Sequence, residues 1–326
     1  MTGPTGLETP QGSIDSAPVQ EHKFKAMGTE VHITVVGGNQ AHISMVEEIV
    51  RDRESRWSRF KPDSELMRLN SKPGVPVMVS ADTFELIDAA VDASFLTGGA
   101  FDPTVLPSLI AAGYNRTFSE LGGQPEVEDV APKGVSGIGL IPTTNMVALP
   151  VGVGLDLGGI AKGATADFAV HEVLRWGAKG CCVNIGGDLH ASGRSPATGG
   201  WIVEIDCSRN RPSRWVALQE GAVCTSTVDK RRWKTGRRTQ HHIRDTSSGA
   251  PLETGVASIS VIAQTATQAE VLTKAAMAAG VQGAERVVVG HGATGLLVRD
   301  DGQVIEFAGF DRFELESWDQ PTRQAS

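Results

Sequence analysis

No stretch of the 326-residue chain approaches the roughly 18 consecutive apolar residues that cross a membrane as a helix. Cysteine is scarce. There are four, Cys181, Cys182, Cys207 and Cys224, with no Cys-x-x-Cys pair and no Cys/His cluster at zinc spacing. So thin a set excludes a disulfide scaffold. It reads as small buried apolar residues in a reducing compartment, the cytoplasm. A basic excess is also missing: Lys+Arg is 30 against 38 Asp+Glu, a formal net charge of −8. This argues against a general nucleic-acid binder, which must neutralise phosphates. The first residues lack the basic start and apolar core of a secretory signal peptide. Residues 1–20, rich in Gly, Pro, Thr, Ser and Gln, read as a disordered tail. No repeat or linker divides the rest of the chain, so 21–318 is expected to be one domain and 319–326 a polar tail.

What the chain has in excess is glycine, 38 residues without a collagen-like period. Glycine lets backbone approach a ligand closely, so its placement matters. Phe24 to Val36 alternates, with Val31, Ile33 and Val35 on one face, and reads as a strand stopped by Gly37-Gly38. Ala41 to Trp57 repeats apolar residues at helical spacing. Ser80 is an N-cap candidate for a helix ended by Gly98-Gly99. Residues 113–144 read as loop with short pieces of structure. A helix is expected after Gly158-Gly159 as far as Trp176, and another over Thr267–Ala279, stopped by Gly280. Strands are expected at 181–185, 201–206, 222–224 and 259–263, with a hairpin over Leu296–Phe307 turning at Asp301-Gly302. Strands that succeed one another without an intervening helix point to antiparallel pairing. The expected fold is therefore mixed α/β (α+β), with largely antiparallel or mixed sheets and flanking helices.

Five segments could carry chemistry. Asp156-Leu-Gly-Gly-Ile-Ala-Lys-Gly163 places glycines and a lysine where a helix begins, a site that attracts phosphate or simply makes a tight turn. In Gly99-Ala-Phe-Asp-Pro-Thr104, Asp102 is held extended before Pro103, or closes an Asx turn. Asn184-Ile-Gly-Gly-Asp188 suits close ligand approach at a strand end. The stretch 230–244 is basic in an acidic chain and holds His241 and His242, proton acceptors near neutral pH. Glu270 and Lys274 are spaced as a helical ion pair.

In order, these segments, with Ala26-Met-Gly-Thr29, Ser58-Arg-Phe-Lys-Pro-Asp-Ser-Glu-Leu66 and His241-His-Ile-Arg-Asp245, resemble the ApbE-type FAD:protein FMN transferase family over Phe24 to Gly280. The resemblance implies transfer of the FMN half of FAD to a Ser or Thr hydroxyl of an acceptor flavoprotein, with release of AMP. Alternatives are FAD hydrolysis to FMN and AMP, or FAD binding with weakened catalysis. It implies FAD contacts from Met27, Phe60, Ala100, Phe101, Asp102, Asp156, Lys162 and Ile243, with His242 deprotonating the acceptor. It also implies Mg²⁺ near the Ala161 carbonyl, Glu270 and Thr273. The family's metal helix usually reads Ala-Asp-x-x-x-Thr. Here it is Ala269-Glu270-Val-Leu-Thr273-Lys274, so Lys274 stands at the Thr position and would repel a divalent cation.

Overall fold

The computed structural model describes residues 17–118, 121, 128–207 and 211–315. Residues 1–16 and the expected tail at 319–326 lie outside them. Strands β1 (Val19–Ala26) and β2 (Thr29–Val36) form an antiparallel hairpin where the alternation suggested a single strand. β1 also begins inside the segment read as a tail. Met27 (φ 50°) and Gly28 (φ 68°) both occupy the left-handed region, as a two-residue type I′ turn requires. Ala26 pairs with Thr29 across them. The alternation runs on either side of this turn, so periodicity alone did not reveal it.

Helix α1 (Gln40–Trp57) is capped by Asn39 and buries Ile43, Val46, Val50 and Trp57. After α2 (Glu65–Asn70) and β3 (Val77–Met78), Ser80 accepts the Thr83 N–H at the start of α3 (Ala81–Leu96). Then come α4 (Leu106–Ala111), β4 (Gly139–Ile141) and β5 (Met146–Ala148), with β3, β5 and β4 in a small antiparallel sheet. Helix α5 (Ala161–Arg175) leads to β6 (Gly180–Ile185) and β7 (Asp188–Gly193). Ile185 pairs with Asp188 across Gly186-Gly187, whose φ angles of 65° and 101° make another tight turn. Next are β8 (Trp201–Ile205), β9 (Arg214–Leu218), β10 (Gly221–Thr227), β11 (Arg232–Thr235) and β12 (Arg238–His241). The chain continues through β13 (Val256–Ala263), α6 (Ala266–Gly290), β14 (Thr294–Arg299) and β15 (Val304–Glu306). Gly280 (φ 69°, ψ −176°) breaks α6 as its sequence suggested, but the helix resumes to Gly290.

The main sheet has eight strands in the order β1-β2-β6-β7-β10-β13-β14-β15, each pair antiparallel. Alternation gives it two apolar faces. Ile33, Val35, Val183, Ile259 and Val261 pack with Val46, Val170, Leu272 and Met277 of α1, α5 and α6. On the opposite face, Val36, Leu189, Val223 and Ile262 meet Trp201, Ile205, Val216 and Leu218 of the β8–β9 ribbon. A second core joins the end of α1 to α2, α3 and the small sheet through Trp57, Leu66, Ile87, Val147 and Leu155. No helix among the described residues is long and apolar enough to cross a membrane.

Helices α5 and α6 meet backbone against backbone at Gly163, where an added Cβ would lie 2.3 Å from the Ala266 carbonyl oxygen. Gly163→Ala is therefore expected to lose about 1–3 kcal/mol or more in urea denaturation. Gly290→Ala, at a helical position with open space around it, should be neutral or gain up to about 1 kcal/mol. Equal losses in the two variants would contradict the close approach.

Candidate active site

A cleft of about 630 Å³ lies where these two cores meet. Met27, Phe60, Ala100, Phe101, Asp102, Asp156, Ala161, Lys162, His242 and Ile243 all line it. The remaining expected site residues, Glu270 and Thr273, are buried in α6.

Backbone geometry sets one wall. The Met27 N–H donates to Glu54 Oε1 of α1 at 2.8 Å, which ties the strained β1–β2 turn to the cleft. Asp102 closes an Asx-type turn: its Oδ1 accepts from the Thr104 N–H and hydroxyl, each at 2.7 Å. Asp156 is similarly occupied. Its Oδ1 accepts the Gly158 N–H at 2.7 Å, and its Oδ2 accepts from Arg59 Nε at 2.7 Å.

Arg59 organises the aromatic wall. Its guanidinium carbon lies 4.1 Å from the Phe60 ring centre and 4.2 Å from that of Tyr114, and Nη1 donates to the Tyr114 carbonyl at 2.6 Å. Tyr114 leans on Trp233, with centroids 5.0 Å apart, and the Trp233 indole N–H donates to the Ala112 carbonyl at 2.7 Å. Arg59 stands inside a segment that carries the family resemblance, yet nothing local to it shows its partners Asp156 and Tyr114. Tyr114 itself was not among the expected site residues.

The opposite end of the cleft gathers two lysines and two carboxylates. Lys162, on the first turn of α5, donates to Asp188 of β7 and to Glu270 Oε1, the latter at 2.7 Å. Lys274 Nζ lies 3.3 Å from the same Oε1, while Glu270 Oε2 accepts the Gly163 N–H at 2.8 Å. Burial alone would raise the Glu270 carboxyl, but the two ammonium groups and the Gly163 N–H hold it below its ordinary value. Burial acts against the charged form of Lys162 as well, and Asp188 and Glu270 more than offset it. The Asp188 carboxyl is raised, with burial the main cause.

His242 is held neutral. Burial, then the charges of Arg231 and Lys274, push its imidazole well below the usual histidine range. Burial and the nearby Arg244 and Arg232 depress neighbouring His241 to about 4. Among the described residues, seven buried side-chain polar atoms have no hydrogen-bond partner, and Arg59 Nη2, Asp188 Oδ1, His241 Nδ1 and His242 Nδ1 are the ones in or beside the cleft. Unsatisfied buried groups at a cleft are what a polar ligand would complete.

The donor set does not fit the Mg²⁺ that the resemblance implies. Both Glu270 oxygens are engaged, and two ammonium groups stand where a divalent cation would need oxygen ligands. The Thr273 hydroxyl donates to the Glu270 carbonyl and meets Ser226 Oγ, each at 2.7 Å, so it faces β10. The Ala161 carbonyl already accepts from the Thr165 hydroxyl at 2.7 Å. Among the described residues, no group of three or more His, Cys, Asp or Glu side chains is placed to hold a metal.

Comparison with known proteins agrees with this assembly. The sequence pattern of the ApbE family matches residues 27–297. The FAD:protein FMN transferase of Haemophilus influenzae is 29% identical over 299 residues, covering 85% of this chain and 86% of that protein. That of Salmonella typhimurium is 25% identical over 311 residues, covering 91% of this chain and 89% of its own. The crystal structure of the ApbE protein from Thermotoga maritima superposes with a TM-score of 0.81 at 28% identity, covering 92% of this chain and 100% of that one. With the matched pattern spanning far more than half of its length, this chain belongs to the ApbE family.

Proposed function

We propose that this protein is a transferase that moves FMN from FAD to a Ser or Thr hydroxyl of an acceptor flavoprotein and releases AMP. The observation that carries this reading is the polarity of one cleft. An aromatic wall at Phe60 and Tyr114 faces an end that holds Lys162, Lys274 and the start of α5, with neutral His242 among the lining residues. FAD has the complementary layout, two ring systems joined by a pyrophosphate. The names borne by the Haemophilus and Salmonella relatives support the same activity.

The cleft residues then divide the work. Phe60 and Tyr114 offer ring faces, and the Met27 turn and Phe101 bound the same space. Lys162 and the N-terminus of α5 neutralise pyrophosphate oxygens. The acceptor hydroxyl attacks the phosphorus of the FMN half and loses its proton to His242. The new O–P bond forms as the P–O bond to AMP breaks, and the electron pair leaves on the AMP phosphate. A neutral imidazole suits this role because only that form accepts a proton. Free, largely buried cysteines support assigning the reaction to the cytoplasm.

Incubating the protein with FAD and candidate flavoproteins should yield an acceptor carrying one FMN, read by mass spectrometry of the intact protein, together with AMP. AMP without any adduct would indicate hydrolysis instead. His242→Ala is expected to lower kcat by about 10²–10⁴-fold while FAD binding, followed by flavin fluorescence, changes little. Loss of both together would place His242 in binding rather than proton transfer. Because burial and neighbouring cations depress the His242 pKa, its base form persists as pH falls. The kcat/KM for FAD should therefore stay level through the ordinary histidine range and decline only well below it. A His242-dependent decline centred at or above that range would contradict the assignment.

A further inference from the structure

Lys274 is the feature of the cleft that the family pattern leaves unexplained. It lies one helical turn beyond Glu270 on α6, and its side chain lines the cleft. Its stem crosses the glycine turn that opens α5: a Cβ built on Gly159 would lie 3.6 Å from Lys274 Cε. The N-cap of α5, Ile160, supplies no side-chain cap, and Glu270 Oε2 takes the Gly163 N–H of its first turn. Lys162 approaches the same point from α5 and shares Glu270 Oε1 with Lys274, at 2.7 and 3.3 Å. Two ammonium groups and a helix N-terminus therefore converge where the pyrophosphate would sit, with Glu270 holding both lysines and Asp188 holding Lys162.

We infer that Lys274, together with Lys162, supplies the charge that a divalent cation would otherwise bring to the FAD pyrophosphate, so this protein binds FAD and transfers FMN without metal. The inference rests on the flavin-transferase reading above and adds how this chain meets the phosphate charge. As the acceptor oxygen bonds to phosphorus and the bond to AMP breaks, negative charge builds on the bridging oxygen and the non-bridging oxygens. Fixed, mostly buried ammonium groups stabilise that charge in the same sense as a metal ion does. The ammonium N–H donors not already committed to Glu270 and Asp188 replace oxygen coordination with hydrogen bonds. A metal at Glu270 would have to displace both lysines from the carboxylate they share, with Asp188 left to compensate Lys162 alone.

The test compares FAD binding by calorimetry in EDTA and in MgCl₂ for the full chain, Lys274→Thr and Lys274→Arg. Thermal unfolding checks that the variants fold. Mn²⁺ binding is followed by electron paramagnetic resonance as a readout independent of turnover. The expected result is an FAD affinity that agrees within about twofold between EDTA and MgCl₂ for the unaltered chain, with no stoichiometric Mn²⁺ bound. Lys274→Thr should weaken FAD binding in EDTA by about tenfold or more, and Lys274→Arg should restore most of it. Binding that requires Mg²⁺, or one Mn²⁺ per chain that Glu270→Gln abolishes, would overturn the inference and leave the flavin reading intact. Undiminished binding by folded Lys274→Thr would also overturn it. No FAD binding in either buffer would remove the flavin reading and the inference together.

Discussion

The buried carboxylate of Glu270 is the contact on which the cleft depends. It projects from α6, receives the Gly163 N–H at the start of α5, and holds the ammonium groups of Lys162 and Lys274. A carboxylate with no solvent exposure survives only when its charge is compensated, and removing one partner of such a group typically costs about 3–5 kcal/mol. The same contact therefore fixes the crossing of two helices and the position of two cations. Gly163 makes it possible, because any side chain there would collide with the α6 backbone. Asp188 joins the cluster from the start of β7, delivered by the tight Gly186-Gly187 turn.

Around this polar hub the remaining walls come from rigid elements or from turns pinned to them. The Met27 turn is tied to α1 through Glu54. Arg59, just beyond α1, is pinned by Asp156 and by the Phe60 and Tyr114 rings. Its side chain and that of Asp156 are only 7% and 13% exposed, so this ion pair is shielded from the salt screening that weakens surface pairs. The aromatic half of the cleft is thus organised by a charge, and the lysine-bearing half by a carboxylate.

Much of this was legible in the sequence, for identifiable reasons. Long periodic segments such as α1 and α3, the latter with Ser80 as its cap, carry their own signal. The segments around Asp102, Asp156, Lys162 and His242 were recognisable as short motifs, and the fold gathers them at one cleft. Elements set by tertiary contact were hidden. β7 reads Asp-Leu-His-Ala-Ser-Gly, poor in branched residues, and exists because β6 and β10 pair with it. The continuation of α6 past Gly280 was obscured by a glycine that kinks the helix without ending it. Tyr114 was invisible as a site residue because it sits in a loop just after Gly113 and gains its role from Arg59, 55 positions earlier.

The bond between Lys162 and Glu270 joins residues 108 positions apart, and this has a consequence for how the protein is made. Closing so long a loop costs chain entropy before any contact repays it, and antiparallel pairing of distant strands delays assembly further. During synthesis Lys162 exists well before the carboxylate that orients it. A nascent or truncated chain can hold most of the recognisable motifs and still present no organised cleft. An organised cleft thus arrives only when α6 docks, which makes it a late product of folding.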